Sequence, residues 1–569
     1  MKRALLFVLM CLPAVAVRSP AAEPVPQAQE FRETPNPFQI LGHQWSDYPP
    51  PQAAYNLDFL RTADRETASM SLKEAVFVGL KNNPGIEVDR LEPLRAAEQT
   101  MIERSIFDPS LNLEFNKNYT VDVHGTNASV GTGFFPPVQT DQNRNYNMFM
   151  RKLLVTGAQL EMSFLNNVFI GSLQNQVLRP QYHPRVGFSL SQPLLRDFGW
   201  GLTKIFVHIG ENREEVSSLG YQAKLAQLIQ KITETYWGVV FARENLTVQR
   251  KGVEAAEALL KGAEARVRTG VLAPVAVTEA QAEKARREEL VIVAENDFDV
   301  ARKTLRLTLN LNPDNLFMPR QIEPNDTPSV EPVPVDRIAS LESALTRRPE
   351  ILSAGLAVQN QNLQTRYAEN QLLPRLDFKA GAGLTGLAGE LRQSCPAPPC
   401  SNPFTGNYSR SLDRLGSGDF YNYSVGVVLQ IPLSNAQARS KYSQARIELE
   451  QAQARRRDLV SQITLEVEKS LGDVDSGFKR VQTTRRAREL AQENLRGQER
   501  RFEVGLVTQK DVIDFQSKLL DARGAELRAV TDYNNSIARL KLAEGSLLES
   551  YNVEVEGPKK ESDPWWARF

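Results

Sequence analysis

Large segments of this sequence occur twice, and that tandem repeat limits the possible folds more than any other feature. Five segments of the first half recur in the same order in the second half. The pairs are LKNNPGI (80–86) with LTRRPEI (345–351), FDPSLNL (107–113) with LLPRLDF (372–378), VGFSLSQPLL (186–195) with VGVVLQIPLS (425–434), RVRTGVLAPVAVTEAQ (266–281) with RFEVGLVTQKDVIDFQ (501–516), and DFDVARKTLRL (297–307) with DYNNSIARLKL (532–542). Because the repeated unit is far longer than a solenoid repeat, this order indicates an internal duplication. The sequence therefore predicts a fold with internal pseudo-symmetry.

Composition and the matched segments set the domain boundaries. Lys2 and Arg3, followed by a short apolar stretch and small residues, are typical of a secretory signal peptide. Six prolines in NPDNLFMPRQIEPNDTPSVEPVPVD indicate a linker between the repeats. The predicted order is a signal peptide (1–22), an N-terminal extended or equatorial segment (23–70), the first repeat (71–311), a Pro-rich linker (312–336), the second repeat (337–551) and a C-terminal tail (552–569).

Each repeat follows one plan: a helix, a strand-rich stretch and a long helical hairpin. The predicted ranges are first helices at 72–107 and 341–373, strands at about 109–193 and a β-hairpin at about 374–432, and helical hairpins at about 200–310 and 436–551 with tips near 270 and 505. Leu225, Ile229, Ile232, Tyr236 and Val239 are spaced 4-3-4-3, which is typical of helices packed along a seam. Each return helix is about half as long as its partner, so the first helix of the repeat should pack along the other half.

The strand regions alternate between apolar and polar residues. Leu111, Leu113 and Phe115 alternate with Asn112 and Glu114. This pattern fits a membrane barrel strand, and it also fits a soluble sheet with two different faces. About four such strands per chain are expected, whereas closed membrane barrels need about eight, so several chains would have to share one barrel. A further hairpin near 146–164, turning at residues 156–157, could lie inside or outside that barrel.

Charge and motif content exclude several classes of protein. Lys plus Arg (68) equals Asp plus Glu (68), so no basic excess points to nucleic acid. The pattern G-x-G-x-x-G at Gly381, Gly383 and Gly386 leads into a Cys- and Pro-rich loop without the helix that a dinucleotide site needs. The histidines lack metal-ligand spacing. We therefore expect no enzyme activity, no cofactor, no metal site and no nucleic-acid partner.

Two cysteines remain after removal of the signal peptide. Cys395 and Cys400 lie in SCPAPPCSNP, and an even pair in an exported chain indicates a disulfide. Redox or metal chemistry is the alternative, but neither a histidine nor an acidic residue adjoins the pair. We expect a disulfide that closes a tight loop.

The duplicated NNP…FDP and RRP…LLP segments, the strand ends SQPLL and QIPL, and the turns RTGVLAPVAVTEAQ and EVGLVTQKDVIDFQ together resemble the TolC family of outer-membrane efflux and secretion channels. The resemblance covers about residues 65–551. It implies a mainly α fold with a membrane β-barrel: a trimeric α-barrel/β-barrel duct built from two tandem structural repeats, with four strands per chain in a twelve-strand barrel. It implies a location in the outer membrane of a Gram-negative-type cell, extending into the periplasm.

The same resemblance implies a function and a set of partners. The chain would be the exit duct of a tripartite efflux pump or a type I secretion system, a passive conduit across periplasm and outer membrane. Its partners would be two further copies in a homotrimer, a periplasmic adaptor (membrane fusion) protein, an inner-membrane transporter and outer-membrane lipid. The alternative function is a soluble periplasmic adaptor or coiled-coil scaffold protein, which usually carries a single helical hairpin.

Site residues are carried over from the family position by position. The adaptor-contacting tips correspond to Thr269, Gly270, Val271 and Leu272 in the first repeat and to Val504, Gly505 and Leu506 in the second. A periplasmic gate of carboxylates corresponds to Asp511 and Asp514, which share one helix face. Thr508 and Asp511 also match a capping box, and the capping and gating roles are compatible. The first repeat has Ala276 and Glu279 at the equivalent positions.

Overall fold

The computed structural model describes residues 67–123, 129–130, 133–134, 138–172, 176–270, 272–311, 321–392 and 402–555. The predicted signal peptide, the predicted Cys395–Cys400 disulfide, tip residue Val271 and most of the C-terminal tail lie outside the described residues. Among the helices that are described, none combines the length and apolarity required to span a bilayer.

Helices dominate the structure, and the paired first helices and the long hairpin helices occur in the same order in each repeat. They are α1 (Leu72–Asn82), α2 (Pro84–Arg104), α3 (Trp200–Thr203), α4 (Ile205–Arg268), α5 (Val275–Thr308), α6 (Arg337–Arg347), α7 (Pro349–Asn370), α8 (Tyr408–Ser417), α9 (Ala436–Glu503), α10 (Gln509–Ala543) and α11 (Leu547–Ser550). The single helix expected at the start of each repeat is split in two. Pro84 and Pro349 lack an N–H and each begins a new helix, so the preceding helix ends there.

The strands of the described residues form three sheets. They are β1 (Thr67–Met70), β2 (Ser110–Val123), β3 (Ser129–Val130), β4 (Gly133–Phe134), β5 (Val138–Leu153), β6 (Gln159–Gly171), β7 (Leu178–Pro193), β8 (Gln321–Pro324), β9 (Arg375–Thr385), β10 (Ala388–Leu391) and β11 (Tyr421–Gln430). The large sheet is antiparallel in the order β11-β9-β7-β6-β5-β2, and β10 pairs with β7 beside it. The small sheets are β1 with β8 and β3 with β4.

The large sheet has more strands than the four per chain that we expected. Six strands lie on its continuous path. The hairpin near 146–164 is part of this sheet, because β5 pairs with β2 and β6 pairs with β7. In the second repeat β9 and β11 pair as a hairpin, and β10 and α8 lie between them in the chain.

The long helices α4 and α9 run the length of the two repeats. With 64 and 68 residues, they span roughly 96 and 102 Å at 1.5 Å per residue. In the first repeat α5 packs along the tip half of α4, and α1 and α2 pack along the other half. In the second repeat α10, α6 and α7 line α9 in the same way. This arrangement confirms the pairing that the helix lengths predicted.

The predicted heptad positions form the centre of the first repeat. Leu225, Ile229, Ile232, Tyr236 and Val239 are all buried. The middle of this series packs against apolar residues of α1 and of the C-terminal part of α5. Apolar burial is the main favourable term in folding, so this seam fixes how the helices of the repeat pack together.

The linker contains regular structure that its composition did not predict. β8 lies within it and pairs in parallel with β1. The Tyr236 hydroxyl, buried on α4, donates to the Met70 carbonyl at 3.0 Å and accepts from the Asp326 N–H at 3.2 Å. The strand forms because its backbone partners come from distant parts of the chain, which no local pattern reveals.

Candidate functional site

Near the helical end of its strands the large sheet has one apolar face and one polar face, whereas farther along β2 and β5 the paired Lys117 and Arg144 lie on the apolar side. Directly paired residues form rows that cross the sheet. Two neighbouring rows of the apolar face are Leu111, Met150, Met162, Phe188, Ala382 and Tyr423, and Leu113, Met148, Phe164, Val186, Leu384 and Tyr421. A row of the opposite face is Ser110, Arg151, Glu161, Ser189, Gly381 and Ser424. Such a sheet separates lipid on one side from water on the other.

Much of the apolar face is open within the part of the chain that the structure describes. Leu111 is 61% exposed and Tyr423 is 76% exposed. A contiguous exposed apolar surface of this kind is typical of a membrane or partner contact. The face therefore favours a barrel wall over a sheet surrounded by water.

The second hairpin tip is a Schellman turn with an exposed apolar pair. Gly505 has φ +78°, a left-handed conformation that L-residues rarely adopt. Its N–H donates to the Phe502 carbonyl at 3.1 Å, and the Leu506 N–H donates to the Arg501 carbonyl at 2.9 Å. Val504 is 71% exposed and Leu506 is 75% exposed. The turn thus presents two apolar side chains at the end of the hairpin.

The first tip has the same kind of helix end but a different surface. Gly270 has φ +76°, and its N–H donates to the Val267 carbonyl at 3.0 Å. The Thr269 hydroxyl donates to the Ala265 carbonyl, and Leu272 is half-buried. Among the described residues of this tip, Val275 at the start of α5 has an exposed apolar side chain. The two tips are therefore related but not equivalent.

The two predicted gate carboxylates occupy the first turns of α10. Asp511 Oδ2 accepts from the Thr508 N–H at 2.8 Å and from the Thr508 hydroxyl at 2.7 Å, and the Asp511 N–H donates back to that hydroxyl. This is the capping box that the sequence suggested. Hydrogen bonds from Thr508 hold the pKa of the Asp511 carboxyl below its usual range. Asp514 is exposed one turn later.

A third carboxylate lies near the second tip and was not predicted from the sequence. Glu499 lies on the last turns of α9, half-buried and four residues before Glu503. Burial raises the pKa of the Glu499 carboxyl, and the charge of Glu503 raises it further. Asp511 and Glu499 are therefore shifted in opposite directions. The i, i+4 spacing of Glu499 and Glu503 is visible in the sequence, but many exposed helix faces share that spacing.

Near their tips the two hairpins contact each other, and the sequence did not predict these contacts. The guanidinium of Arg266 lies over the ring of Phe502, and the Gln509 amide, buried, donates to the Ala276 carbonyl at 3.4 Å. Leu495, Val512 and Leu519 form an apolar cluster beneath these contacts; Leu259, Ala491, Phe502 and Phe515 pack against it. The end of one hairpin is thus packed against the end of the other within a single chain.

A buried charged pair joins the hairpins farther from the tips. Arg287 Nε donates to Glu283 Oε1 at 2.6 Å within α5, and Arg287 Nη2 donates to the hydroxyl of Ser517 on α10. Arg287 is 6% exposed and Glu283 is 9% exposed. Their i, i+4 spacing was visible in the sequence, but that spacing also occurs on solvated helix faces.

The described residues contain no group of three or more histidine, cysteine, aspartate or glutamate side chains arranged to hold a metal ion. Within the part of the chain that the structure describes, the two tips, the carboxylates beside the second tip and the two-faced sheet are the candidate functional features.

This chain is similar in sequence to a family of known proteins. The model of a family described as "Outer membrane efflux protein" matches residues 175–311 and 340–546. The outer membrane protein TolC of Escherichia coli is 24% identical over 350 residues, which cover 60% of this chain and 65% of that protein. The matched region is thus just under two thirds of the length of that relative.

Solved structures share the fold. The Campylobacter jejuni CmeC outer membrane channel has a TM-score of 0.56 and 15% identity, covering 89% of this chain and 91% of that one. The Neisseria gonorrhoeae MtrE outer membrane channel in its open state has a TM-score of 0.57 and 16% identity, covering 84% and 89%. These likenesses confirm the predicted fold class, a mainly α chain with a β-sheet wall built from two tandem repeats.

Proposed function

The chain belongs to the outer membrane efflux protein family, and on that premise we propose that it is the exit duct of a tripartite efflux pump or a type I secretion system. As a member of that family it is an outer-membrane protein that extends into the periplasm. In the proposed role it is a passive conduit, and an inner-membrane transporter supplies the energy.

The observation that carries the proposal is the sheet with one apolar and one polar face and two free ends of its strand order. β2 and β11 end the six-strand path within the described residues. Lipid does not tolerate open sheet edges, because each unpaired backbone group there costs several kcal/mol. Three copies of the chain would close these edges on one another and place the polar faces around a common pore.

The helical hairpins would form the periplasmic part of the duct, with the tips at its entrance. The exposed apolar pair Val504 and Leu506 and the neighbouring Gly505 supply a small apolar surface on the second tip. On the first tip the predicted contact residues are Thr269, Gly270, Val271 and Leu272. We propose that a periplasmic adaptor protein docks on these two surfaces.

Asp511 and Asp514 would narrow the entrance electrostatically. Three copies would bring six carboxylates around one axis, where they would attract cations and repel one another. The lowered pKa of Asp511 is compatible with this role, because the hydrogen bonds from Thr508 favour the ionised carboxylate. The capping box is compatible with it, since the same carboxylate holds the start of α10 in place.

Reconstitution tests the conduit. Mature protein extracted from outer membranes in detergent and added to a planar bilayer should form discrete ion-conducting pores and run as a trimer after chemical cross-linking. Cells lacking the protein should accumulate a transported dye or retain a secreted protein, and the wild-type gene should reverse the defect. A mature chain that is soluble without detergent and forms no pore would instead favour the soluble periplasmic adaptor or scaffold.

A further inference from the structure

We propose that the membrane barrel of this protein has eighteen strands, six from each of three copies, in place of the twelve that the family resemblance implied. The inference rests on the trimer of the proposed function and adds to it the strand number and hence the width of the pore. It depends on the hairpin of β5 and β6, whose place the sequence left open.

The hairpin is fully integrated in the sheet. β5 pairs with β2 from Val138 to Arg151, and β6 pairs with β7 from Gln159 to Phe169. β5 has 16 residues and β6 has 13, close to the 14 of β2 and the 16 of β7. Strands matched in length and paired on both sides are members of one wall, whereas a hairpin folded across the sheet would leave β2 and β7 paired with each other.

The hairpin also separates apolar from polar side chains in the same sense as its neighbours. Met150 and Met162 face the same side as Leu111 and Phe188. A shift of one residue in register would turn every side chain of a strand to the opposite face. The continuity of the apolar rows across β5 and β6 therefore indicates that lipid contacts these strands as it contacts the others.

The opposite side of the hairpin carries side chains suited to a water-filled pore. The Asn167 amide donates to Asn145 Oδ1 at 2.6 Å, and Asn147 donates to Glu114 of β2 at 3.2 Å. The Arg151 guanidinium pairs with Glu161 at 2.7 Å across the hairpin. Amide and charged groups of this kind would be costly against lipid and are favourable against water.

The turn of the hairpin lies at the helix end of the sheet, as a barrel turn facing the periplasm requires. Val155 is 2% exposed and packs with Phe107 and Val207, which lie beside the start of β2 and on α4. The Thr156 hydroxyl donates to Gln192 Oε1 at 3.0 Å, and the Thr156 carbonyl accepts from the N–H of residue 199 at 3.3 Å. The turn is thus fixed to the junction where strands meet helices.

Six strands per chain also allow the sheet to close. Every position of β2 and of β11 is exposed within the described chain. β2 leaves the helical end and β11 returns to it, so β2 of one copy beside β11 of the next continues the antiparallel order. The occupant of each edge is therefore a second copy of this chain, and three copies complete a ring without a parallel pair.

The added strands widen the membrane section of the duct. Barrel diameter grows roughly linearly with strand number, so eighteen strands give a diameter about 1.5 times that of twelve at equal tilt. Each chain still contributes two long helical hairpins, so the added strands do not widen the helical section of the duct. The pore would therefore broaden from the helical section toward the cell surface.

Site-directed fluorescent labelling tests the strand number. In a Cys395→Ser, Cys400→Ser background, single cysteines replace Met150 and Met162 on the apolar face of the hairpin, and Asn147 and Ser163 on its polar face. The reference variants are Leu111→Cys in β2 and Val425→Cys in β11. Each trimer is labelled with an environment-sensitive fluorophore and reconstituted in vesicles that contain brominated lipid as a quencher.

We expect the labels at Met150 and Met162 to be quenched by lipid as strongly as the reference labels. Those at Asn147 and Ser163 should react instead with a water-soluble thiol reagent. Quenching at the reference positions but not at Met150 and Met162 would place the hairpin outside the barrel and overturn the inference while leaving the duct intact. Absence of quenching at the reference positions would overturn the proposed function itself.

Discussion

Arg266 and Phe502 connect the ends of the two long helices within one chain. Cζ of Arg266 lies 4.4 Å from the centroid of the Phe502 ring, and Nη1 of the same guanidinium donates to the Phe502 carbonyl at 3.4 Å. Arg266 belongs to the last turn of α4 and Phe502 to the last turn of α9. The contact holds the two hairpin tips in one arrangement, so its loss should loosen the proposed entrance of the duct.

Replacement of this guanidinium gives the first prediction. An exposed cation–π contact contributes about 0.5–1 kcal/mol, so Arg266→Gln should speed amide hydrogen exchange in residues 500–506 by about two- to fivefold. Arg268→Gln is the matched control, because Arg268 is an exposed residue of the same helix turn. Equal exchange in the two variants would mean that the stacking does not hold the tips together.

Neutralising the two carboxylates on α10 tests the proposed gate. The double variant Asp511→Asn, Asp514→Asn should raise single-channel conductance and weaken block by a trivalent cation by at least about tenfold. Even at the dielectric constant of water, each unit charge 4 Å from a cation contributes about 1 kcal/mol per cation charge. The control is Glu279→Gln, which removes the acid at the position in the first repeat equivalent to Asp514. Unchanged conductance and block in the double variant would contradict the gate.

The pH dependence of the same site depends on the capping box. The pKa of Asp511 is lowered by hydrogen bonds from Thr508, so the stabilisation from this carboxylate is present above its unfolded pKa of about 3.9 and is lost as the pH falls through the lower folded pKa. Thr508→Ala removes the side-chain donor and should return the pKa toward its usual value. Cation block should then fade at a higher pH than in the wild type, as measured by titration from neutral pH to pH about 3.

Helix stability supplies an independent measurement of the cap. Loss of an N-cap side chain costs about 1 kcal/mol, so Thr508→Ala should speed amide exchange at residues 509–514 by about fivefold at neutral pH. The matched control is Thr531→Ala, because the Thr531 hydroxyl donates to the Leu527 carbonyl in the interior of the same helix. A Thr508→Ala variant with wild-type exchange would show that the box does not stabilise the start of α10.

The buried pair of Arg287 and Glu283 should be sensitive to removal of one partner alone. Arg287→Met leaves the Glu283 carboxylate buried without its ion pair, and such a change costs about 3–5 kcal/mol. The midpoint of thermal unfolding of the purified protein should fall accordingly. Arg286→Met, at an exposed position next along α5, should leave the midpoint unchanged.

A double substitution separates charge from packing at this pair. Apolar residues at both positions avoid a lone buried charge and are often neutral or stabilising. Arg287→Met with Glu283→Leu should therefore recover most of the stability lost in Arg287→Met. A double variant as unstable as the single one would show that packing, and not the unpaired carboxylate, accounts for the loss.

Local patterns predicted the parts of the fold that local interactions determine. The seam at Ile229, Ile232 and Tyr236 and the helix ends at Gly270 and Gly505 follow from spacing and from backbone conformation, and the structure has them at those positions. The fold class followed from the repeated motifs as a set. These features depend on neighbours a few residues apart, where periodicity carries the information.

Features made by distant segments could not be predicted in the same way. The hydrogen bond between Arg266 and Phe502 joins residues 236 positions apart. β8 lies in a proline-rich stretch and forms only because β1 and Tyr236 supply partners. The pattern of the hairpin of β5 and β6 was visible, but its membership in the large sheet depends on pairing with β2 and β7. The sequence pattern predicts the structure of each segment, but it does not predict which distant segments pair with each other.

The linker gives a last prediction, because a buried tyrosine of α10 holds its second half. The Tyr533 hydroxyl donates to the Glu331 carbonyl at 2.7 Å and accepts from the Val333 N–H at 3.2 Å. Tyr533→Phe leaves these backbone groups without that partner, at a cost of about 1–3 kcal/mol. The linker should then be cut faster by a protease between residues 327 and 336, as followed by mass spectrometry.

Tyr442→Phe is the matched control for this change. Tyr442 lies on α9, far from the end of the linker, where Arg337 pairs with Glu468 of the same helix. It should leave cleavage of the linker at the wild-type rate. If Tyr533→Phe also left it unchanged, the ring alone would hold the linker. The hydroxyl would then be ruled out as the group that holds the linker.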